Sequence, residues 1–262
     1  MPSSRKLALV TGASGGIGAE FAALLAADGY DLALVARSAE RLESVAAALR
    51  ARYGIEAVAH AIDLAESGAA AEVASRVPQC DVLINNAGSA TNGPFAGIEP
   101  ARIANEIALN VVALTLLSRA YLPAMIARGS GSILNVASTA GFLPGPFMAV
   151  YYATKAYVIS FSQAIAEEAR GTGARITCFC PGSTATGFAD WAGTHATLLH
   201  KFPMADARAM AVAGYRGMRA GKDVVVPWPP SNWLVPFAAR LSPRRLLLWI
   251  SRKTVEVKRN DA

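Results

Sequence analysis

Short apolar runs alternate with longer segments in which apolar residues recur every three or four positions, and the alternation persists from residue 7 to residue 226. The runs at 7–10, 31–36, 56–62, 81–84, 132–137, 175–180 and 223–226 have the length and aliphatic content of strands buried on both faces. Between them, 18–27, 39–53, 67–76, 101–127, 151–169 and 206–219 carry helical periodicity. Parallel strands need crossover connections, so strand–helix alternation predicts a mostly parallel sheet with helices on both faces. Seven runs rather than eight, with a glycine-rich turn after the first, favour an open, doubly wound α/β sheet of the Rossmann type over a closed barrel.

Past residue 226 the pattern changes to a helical extension, 227–262. It opens Pro227-Trp228-Pro229-Pro230, offers Ser231 or Asn232 as a cap for a short helix at 233–240, and uses Pro243 to open a second at 244–257. On that second helix Leu246, Leu247, Ile250, Thr254 and Val257 form a stripe, with Arg244, Arg245, Arg252 and Lys253 spread opposite. Leu248 and Trp249 interrupt the polar side. Such a helix fits packing on its own domain or a partner subunit, and it also fits a membrane surface.

Composition then narrows the class. With 262 residues, 53% of them hydrophobic, the chain can bury a large core, and no Pro/Gly/Ser-rich tract divides it, so one domain over 1–262 is expected. The net charge is +6, but from Arg240 onward seven Lys/Arg stand against two Asp/Glu, leaving the remainder close to neutral. That is a basic tail rather than a nucleic-acid face, and no recognition motif accompanies it. Cys178 and Cys180 point the same way from one strand and are too close in sequence for an ordinary bridge. With Cys80 and three scattered histidines they predict reduced thiols, no disulfide framework and no metal site. Residues 1–6 run straight into the first strand and no uninterrupted apolar stretch reaches the ~18 residues of a membrane span, so a cytoplasmic protein is expected, with peripheral membrane contact through the tail as the variant.

Candidate chemistry sits at the strand ends. Thr11-Gly12-Ala13-Ser14-Gly15-Gly16-Ile17-Gly18 lies between the first strand and a helix, where glycines permit a tight turn and close approach of a pyrophosphate to free helix N–H groups. Ser14 adds a hydroxyl donor, and the absence of Gly-Lys-Ser/Thr disfavours a triphosphate loop. The second strand ends in Arg37, with Ser38 and Arg41 following, where a carboxylate would select an unphosphorylated ribose. Arginine suits a 2′-phosphate, which points to NADP(H). Further on, Tyr151 and Lys155 are four apart on one helix face, and Ser138 ends the fifth strand. A fixed ammonium favours the phenolate, and a hydroxyl opposite can bind a carbonyl or alkoxide oxygen, so the constellation suggests carbonyl/alcohol proton transfer. Tyr152 is about 100° away round the helix and lacks the spacing to Lys155.

Thr11-Gly12 with Gly16 and Gly18, Asn85-Asn86-Ala87-Gly88, Asn110, Ser138, Tyr151 with Lys155, and Pro181-Gly182 stand in this order, and the chain thereby resembles the short-chain dehydrogenase/reductase family over residues 7–226, within it the NADP-dependent branch. The resemblance implies that Tyr151 exchanges the proton with the carbonyl oxygen, that Lys155 holds the nicotinamide ribose and lowers the tyrosine pKa, and that Ser138 hydrogen-bonds the reacting oxygen. It implies that Asn110 positions a water linking Lys155 to solvent. Asn86, Ala87 and Gly88 would shape the cofactor floor, and Asp63 would hold the adenine amino group with Leu64 beside it. Pro181 and Gly182 would cross the nicotinamide, with Thr184 standing where the family usually has an aliphatic residue and Thr186 matching.

The reading is an oxidoreductase moving a hydride between NADP(H) and a carbonyl or secondary alcohol. Substrate is read from the lid, 184–217. Phe188, Trp191, Leu198, Leu199, Phe202 and Met204, with Phe142, Leu143, Phe147 and Met148 from the preceding loop, suggest a medium or large apolar ketone. His195 and His200 read as lid-surface or packing residues. A 3-ketoacyl-thioester reductase is the alternative and would want a basic patch at the site's mouth. A non-catalytic cofactor-binding scaffold should have lost Ser138, Tyr151 or Lys155. Small-residue faces on the 101–127 and 151–169 helices predict a homo-oligomer, with a dimer favoured over a tetramer.

Overall fold

Seven parallel strands form one sheet in the computed structural model, which describes residues 5–185, 204–227, 239 and 241–256. The strands of the chain are β1 (Leu7–Thr11), β2 (Asp31–Ala36), β3 (Ala57–Ala61), β4 (Val82–Asn85), β5 (Gly131–Val136), β6 (Ala174–Phe179), β7 (Thr184–Ala185), β8 (Ala205–Asp206) and β9 (Val224–Val225). The large sheet runs β3-β2-β1-β4-β5-β6-β9, and β7 pairs with β8 separately. Leu9 sits between Ala33 and Leu83, so the most apolar stretches occupy the centre.

The core has two layers because successive strand residues point to opposite faces. Ala8, Val10, Leu32 and Leu34 face one way and are covered by Phe21 and Leu25 of α1 (Gly16–Ala27), Leu42 and Leu49 of α2 (Ala39–Tyr53), and Met210 and Tyr215 further along. Leu9, Ala33, Val35 and Leu83 face the other way, against Val73 of α3 (Ala69–Arg76) and, later in the chain, Leu117, Tyr121 and Met125. Local chemistry sets the helix ends. Ser38 Oγ accepts from Arg41 N at 3.4 Å to open α2, and Gly54, with φ of 62°, closes it.

The predicted 101–127 helix is not a single α-helix. It divides into α4 (Pro100–Ile107), a π-helical stretch Ala108–Ala113 and α5 (Leu114–Ala127). Periodicity cannot register the change, because the cause is tertiary: Glu106 and Asn110 both reach the loop after β4, and the wider turn accommodates them. The continuous Pro100–Ala127 stretch has the length and a mean hydropathy of 1.5 that would suit a membrane span. In the fold its Leu114, Leu117, Tyr121 and Met125 are buried instead.

α6 (Ala149–Glu168) follows β5, α7 (Ala207–Arg219) precedes β9, and α8 (Arg244–Val255) lies in the extension. The α8 stripe differs from the expected one. Leu247, Ser251 and Val255 are buried, Val255 in the cluster of Met148 and Tyr152, while Leu246 and Ile250 are exposed. Val257 and nearly all of the expected 233–240 helix lie outside the described residues.

Candidate active site

Strand order reverses between β1 and β4, and the loops leaving the ends of those strands open a crevice there, the usual ligand position in such sheets. Thr11 closes its base. Its Oγ1 donates to Ile84 O at 3.2 Å and accepts from the amides of Asn86 and Ala87 at 2.9 and 3.0 Å. Asn86 Nδ2 donates in turn to Thr11 O and Gly12 O at 3.0 and 3.2 Å. A Cβ on Gly18 would lie 2.3 Å from Gly12 O, and one on Gly12, whose φ is 65°, would meet Asn86 Nδ2 at 2.7 Å. Glycine is therefore required at both positions, and the turn delivers the N-terminus of α1, where Gly15 makes no side-chain cap.

The other expected cofactor contacts are placed as follows. Ser14, Gly16 and Ile17 are half-buried in the turn. Arg37, Ser38 and Arg41 are exposed together after β2, with Ser38 oxygen engaged as the α2 cap. Asp63 Oδ1 accepts from Ala65 N at 3.0 Å, a turn cap that leaves the second oxygen to a ligand, and Leu64 beside it is buried. Gly88 borders the reacting groups, since a Cβ there would stand 3.2 Å from Asn110 Oδ1 and 3.5 Å from Lys155 Nζ. Pro181 and Gly182 follow β6, with Thr184 Oγ1 donating to Gly182 O at 2.9 Å, while Thr186 lies outside the described residues. These groups form a glycine-lined anion cradle, a cation pair at its far end and a narrow floor, and they fit a phosphorylated dinucleotide.

Ser138, Tyr151 and Lys155 converge at the opposite end. Ser138 is extended, caps the 3-10 turn Thr139–Phe142 by accepting from Ala140 N at 3.1 Å, and hydrogen-bonds the Tyr151 phenol. Its Oγ also reaches Pro181 O at 3.4 Å, so β5 and β6 jointly aim it. Lys155 Nζ donates to Val136 O at 2.8 Å and lies 5.8 Å from the Tyr151 ring centre. Burial lowers the Lys155 pKa to about 8, against the opposing influence of Cys178, Cys180 and Glu106. Burial likewise pushes the Tyr151 phenol well up, with the Ser138 hydrogen bond resisting. With the side chains as they stand, burial favours a neutral, proton-bearing phenol.

Asn110, in the π-helical stretch, has its amide fully engaged. Its Oδ1 accepts from Ser89 N at 2.9 Å, and its Nδ2 donates to Ser89 O at 2.8 Å and Thr154 Oγ1 at 3.0 Å. Tyr152 points away from the reacting groups. It is buried with Met148, Ala90 and Val255, and packs on Gly145, where a Cβ would come within 2.2 Å of its ring. Ser251 of α8 is close enough to moderate the rise that burial imposes on Tyr152, yet its hydroxyl finds no partner of good geometry among the described residues.

Of the expected substrate residues, Phe147 adjoins Tyr151 in the same apolar cluster and adopts φ of 65°, a conformation rarely taken outside glycine. Phe142 packs instead with Val158 and Ile159 beside Cys178 and Cys180. Phe188, Trp191 and the rest of the lid up to Phe202, with His195 and His200, lie outside the described residues, and Met204 is exposed. A cleft of about 490 Å³ is lined by Pro94, Phe95, Pro146, Phe147, Leu248, Trp249 and Arg252. Arg252 stands 5.6 Å over the Phe147 ring, and Asn92 Nδ2 donates to Val255 O at 3.1 Å, so α8 forms one wall of this cleft, whose Phe147 shares an apolar cluster with Tyr151.

Sequence reasoning missed three contributors. Thr11 carries the base of the crevice, and only its motif position hinted at that. Asn85 and Asn135 join Ser118 and Ser162 in a buried chain of hydrogen bonds that ties β4 and β5 to α5 and α6. Glu106 is buried, accepts from Thr91 Oγ1 at 2.6 Å, and has its pKa raised by burial; nothing in its spacing marked it.

Residues 6–195 match the family described as short chain dehydrogenase. A very-long-chain 3-oxoacyl-CoA reductase of Laccaria bicolor is 38% identical over 169 residues, which cover 62% of this chain and 50% of that protein. The chain thus spans about half the length of that curated relative. Among solved structures, a short-chain dehydrogenase of Sphingobium yanoikuyae in complex with NADPH is 32% identical, covers 98% of each chain and gives a TM-score of 0.82. The bulky-bulky ketone specific alcohol dehydrogenase of Comamonas testosteroni is 28% identical over 99% of this chain and 98% of its own, with a TM-score of 0.78.

Proposed function

The chain belongs to the short-chain dehydrogenase family, and from that premise we propose that it uses NADPH to reduce the ketone of a 3-oxoacyl thioester with a long apolar chain. The observation that carries the reaction class is the convergence of Ser138, Tyr151 and Lys155 on one point beside the glycine cradle. A scaffold without turnover would have no need to keep all three aligned. NADPH supplies the hydride when bound. Gly12, Gly16 and Gly18 with the α1 N-terminus would hold its pyrophosphate, and Arg37 with Arg41 its 2′-phosphate.

The proton chemistry belongs to the protein. Ser138 Oγ–H and Tyr151 Oη–H would donate to the substrate carbonyl oxygen, strengthening as negative charge develops there. Tyr151 Oη would then release its proton to that oxygen, and the Lys155 ammonium nearby would stabilise the phenolate that remains. Val136 O fixes Nζ for this purpose, and Asn110 and Thr11 hold the floor loop so that neither partner drifts.

The substrate class rests on two supports. The Laccaria bicolor relative acts on a 3-oxoacyl-CoA by its name, and the cleft that Phe147 lines pairs Phe95, Phe147, Leu248 and Trp249 with Arg252, an apolar surface with a cation, ion-paired to Glu256, at its edge. That combination suits an acyl chain carrying an anionic thioester handle. A bulky apolar ketone without that handle is the second reading, favoured by the Comamonas testosteroni likeness, which extends through the α8 extension.

NADPH oxidation measured with 3-oxoacyl-CoA esters of increasing length, against bulky ketones lacking the thioester, separates the two. We expect kcat/KM roughly tenfold or more higher for the long thioesters, and Arg252→Ala to raise KM for the thioesters alone. Equal turnover of the two groups transfers the assignment to the ketone. In the same assay Arg37→Asp should weaken NADPH by roughly tenfold and narrow its preference over NADH. Equal affinities in the unaltered protein would make Arg37 an ordinary surface charge.

A further inference from the structure

Only part of α8 is used by the fold. Leu247, Ser251 and Val255 face inward, and Arg252 turns toward the cleft, paired with Glu256 at 3.1 Å. About half a turn away round the helix axis lies a second, largely exposed face, of which Trp249 borders the cleft. There Trp249 is 59% exposed, Leu246 46% and Ile250 44%, with Leu241 just before the helix at 81%. Leu248, 39% exposed, and Phe95, 60% exposed, continue the apolar surface across the rim of the cleft. Arg244, Arg245 and Lys253 are interleaved on the same helix, all exposed and without an ion pair among the described residues.

Exposed apolar patches of this extent on a folded protein mark a contact surface. The chemistry selects the occupant. A protein–protein interface is depleted of charge at its core, whereas here cations sit among the apolar side chains. A soluble phosphate ligand would use the cations but has no need of Trp249, Ile250, Leu246 and Leu241. Side chains that insert beside cations that stay at the surface match the boundary between acyl chains and anionic headgroups, where tryptophan is also favoured. We propose that the outer face of α8, with Phe95 beside it, docks on the headgroup layer of an anionic lipid bilayer, so that the cleft bordered by Phe95, Phe147 and Arg252 lies at the membrane surface.

The docking does not depend on the substrate reading, because it can be measured on the full chain without substrate or cofactor. Co-sedimentation with phosphatidylcholine vesicles, with and without phosphatidylglycerol, at low and high salt is the test. Binding should be roughly tenfold or more stronger with phosphatidylglycerol and should weaken as salt rises. Trp249→Ser with Ile250→Ser, and separately Arg244→Glu with Arg245→Glu, should each reduce binding by a comparable factor while circular dichroism and NADPH affinity stay unchanged. Absence of binding at low salt, or binding indifferent to both pairs of substitutions, overturns the proposal. So does a halving of the solution mass by the Trp249/Ile250 pair, which would make the face a subunit contact. Release from vesicles by soluble coenzyme A would make it a thioester site, and protection of Trp249 from acrylamide without vesicles would mean that the chain already covers it.

Discussion

At the scale of single residues, the contrast between Tyr151 and Tyr152 shows how position outweighs identity. The two phenols are adjacent, their ring centres 6.1 Å apart, and both are pushed up by burial. Only Tyr151 shares its hydroxyl with Ser138 and stands near Lys155. Tyr151→Phe should leave fold and NADPH affinity nearly intact and cut turnover by at least ~100-fold, because one proton donor is removed. Comparable turnover would reject the assignment. Lys155 supplies a pH signature. Its pKa is lowered from 10.5 to about 8, so the ammonium is present below about 8 and lost above. Reductive kcat should therefore fall as pH rises through about 8, and Lys155→Arg should carry the plateau to higher pH if geometry is kept. The stability contribution has the opposite trend. The unfolded chain holds this proton up to about 10.5, so the cost of burying the charge is present below about 8 and fades between 8 and 10.5.

At the scale of elements, the crevice depends on backbones that approach closer than side chains permit. Gly18 brings α1 against Gly12 O, and Gly141 brings the turn after Ser138 onto the backbone of Lys155, where a Cβ would come within 2.7 Å. Gly18→Ala should destabilise the protein by about 1–3 kcal/mol through overpacking and displace the α1 N-terminus from the pyrophosphate position. Thermal unfolding with and without NADPH tests both parts: a lowered Tm in the free protein and loss of the rise that NADPH produces. An unchanged Tm with normal NADPH stabilisation would show that the turn relaxes without cost. These glycines are legible as a motif because the demand is local. The π-helical stretch around Asn110 is not, because the demand comes from Ser89 and Thr154, 21 and 44 positions away.

At the scale of the molecule, the face of α4, the π-helical stretch, the start of α5 and α6 remains open. Ile107, Val112, Leu116 and Tyr157 are 38–50% exposed there, and a shallow hollow of about 360 Å³ is lined by Ile107, Val111, Val150, Ala153 and Tyr157. Small residues on α6 let a second helix pair approach, so we expect two copies to pack through this face about a two-fold axis. Light scattering should return the mass of a dimer, and Leu116→Arg with Val112→Arg should return a monomer. A monomeric unaltered protein, or a dimer indifferent to both substitutions, would place that apolar face elsewhere in the protein's chemistry. Because this hollow and the cleft at α8 share no lining residue, the two surfaces can be tested independently.

The sequence by itself determined the sheet and its central strands, and it named the candidate residues of the site. Buried parallel strands are written as continuous apolar runs, a phosphate turn needs glycine at set positions, and a Tyr–Lys pair on one helix face is set by the helical period. All three are short-range requirements, so they leave a trace in neighbouring residues. What only the tertiary structure decided depends on contacts between distant segments. It placed Thr11 beneath the crevice, buried the Tyr151 phenol so that its pKa rises, and opened a π-helical turn at Asn110. It also chose which side of α8 to bury. Leu246 and Leu247 are equally apolar, and the periodicity admits either, but the space beside Tyr152 and Met148 accepts the face of Ser251 and Val255. Burial against one surface rather than another is a property of shape, and shape exists only once the loops after β4 and β5 are in place.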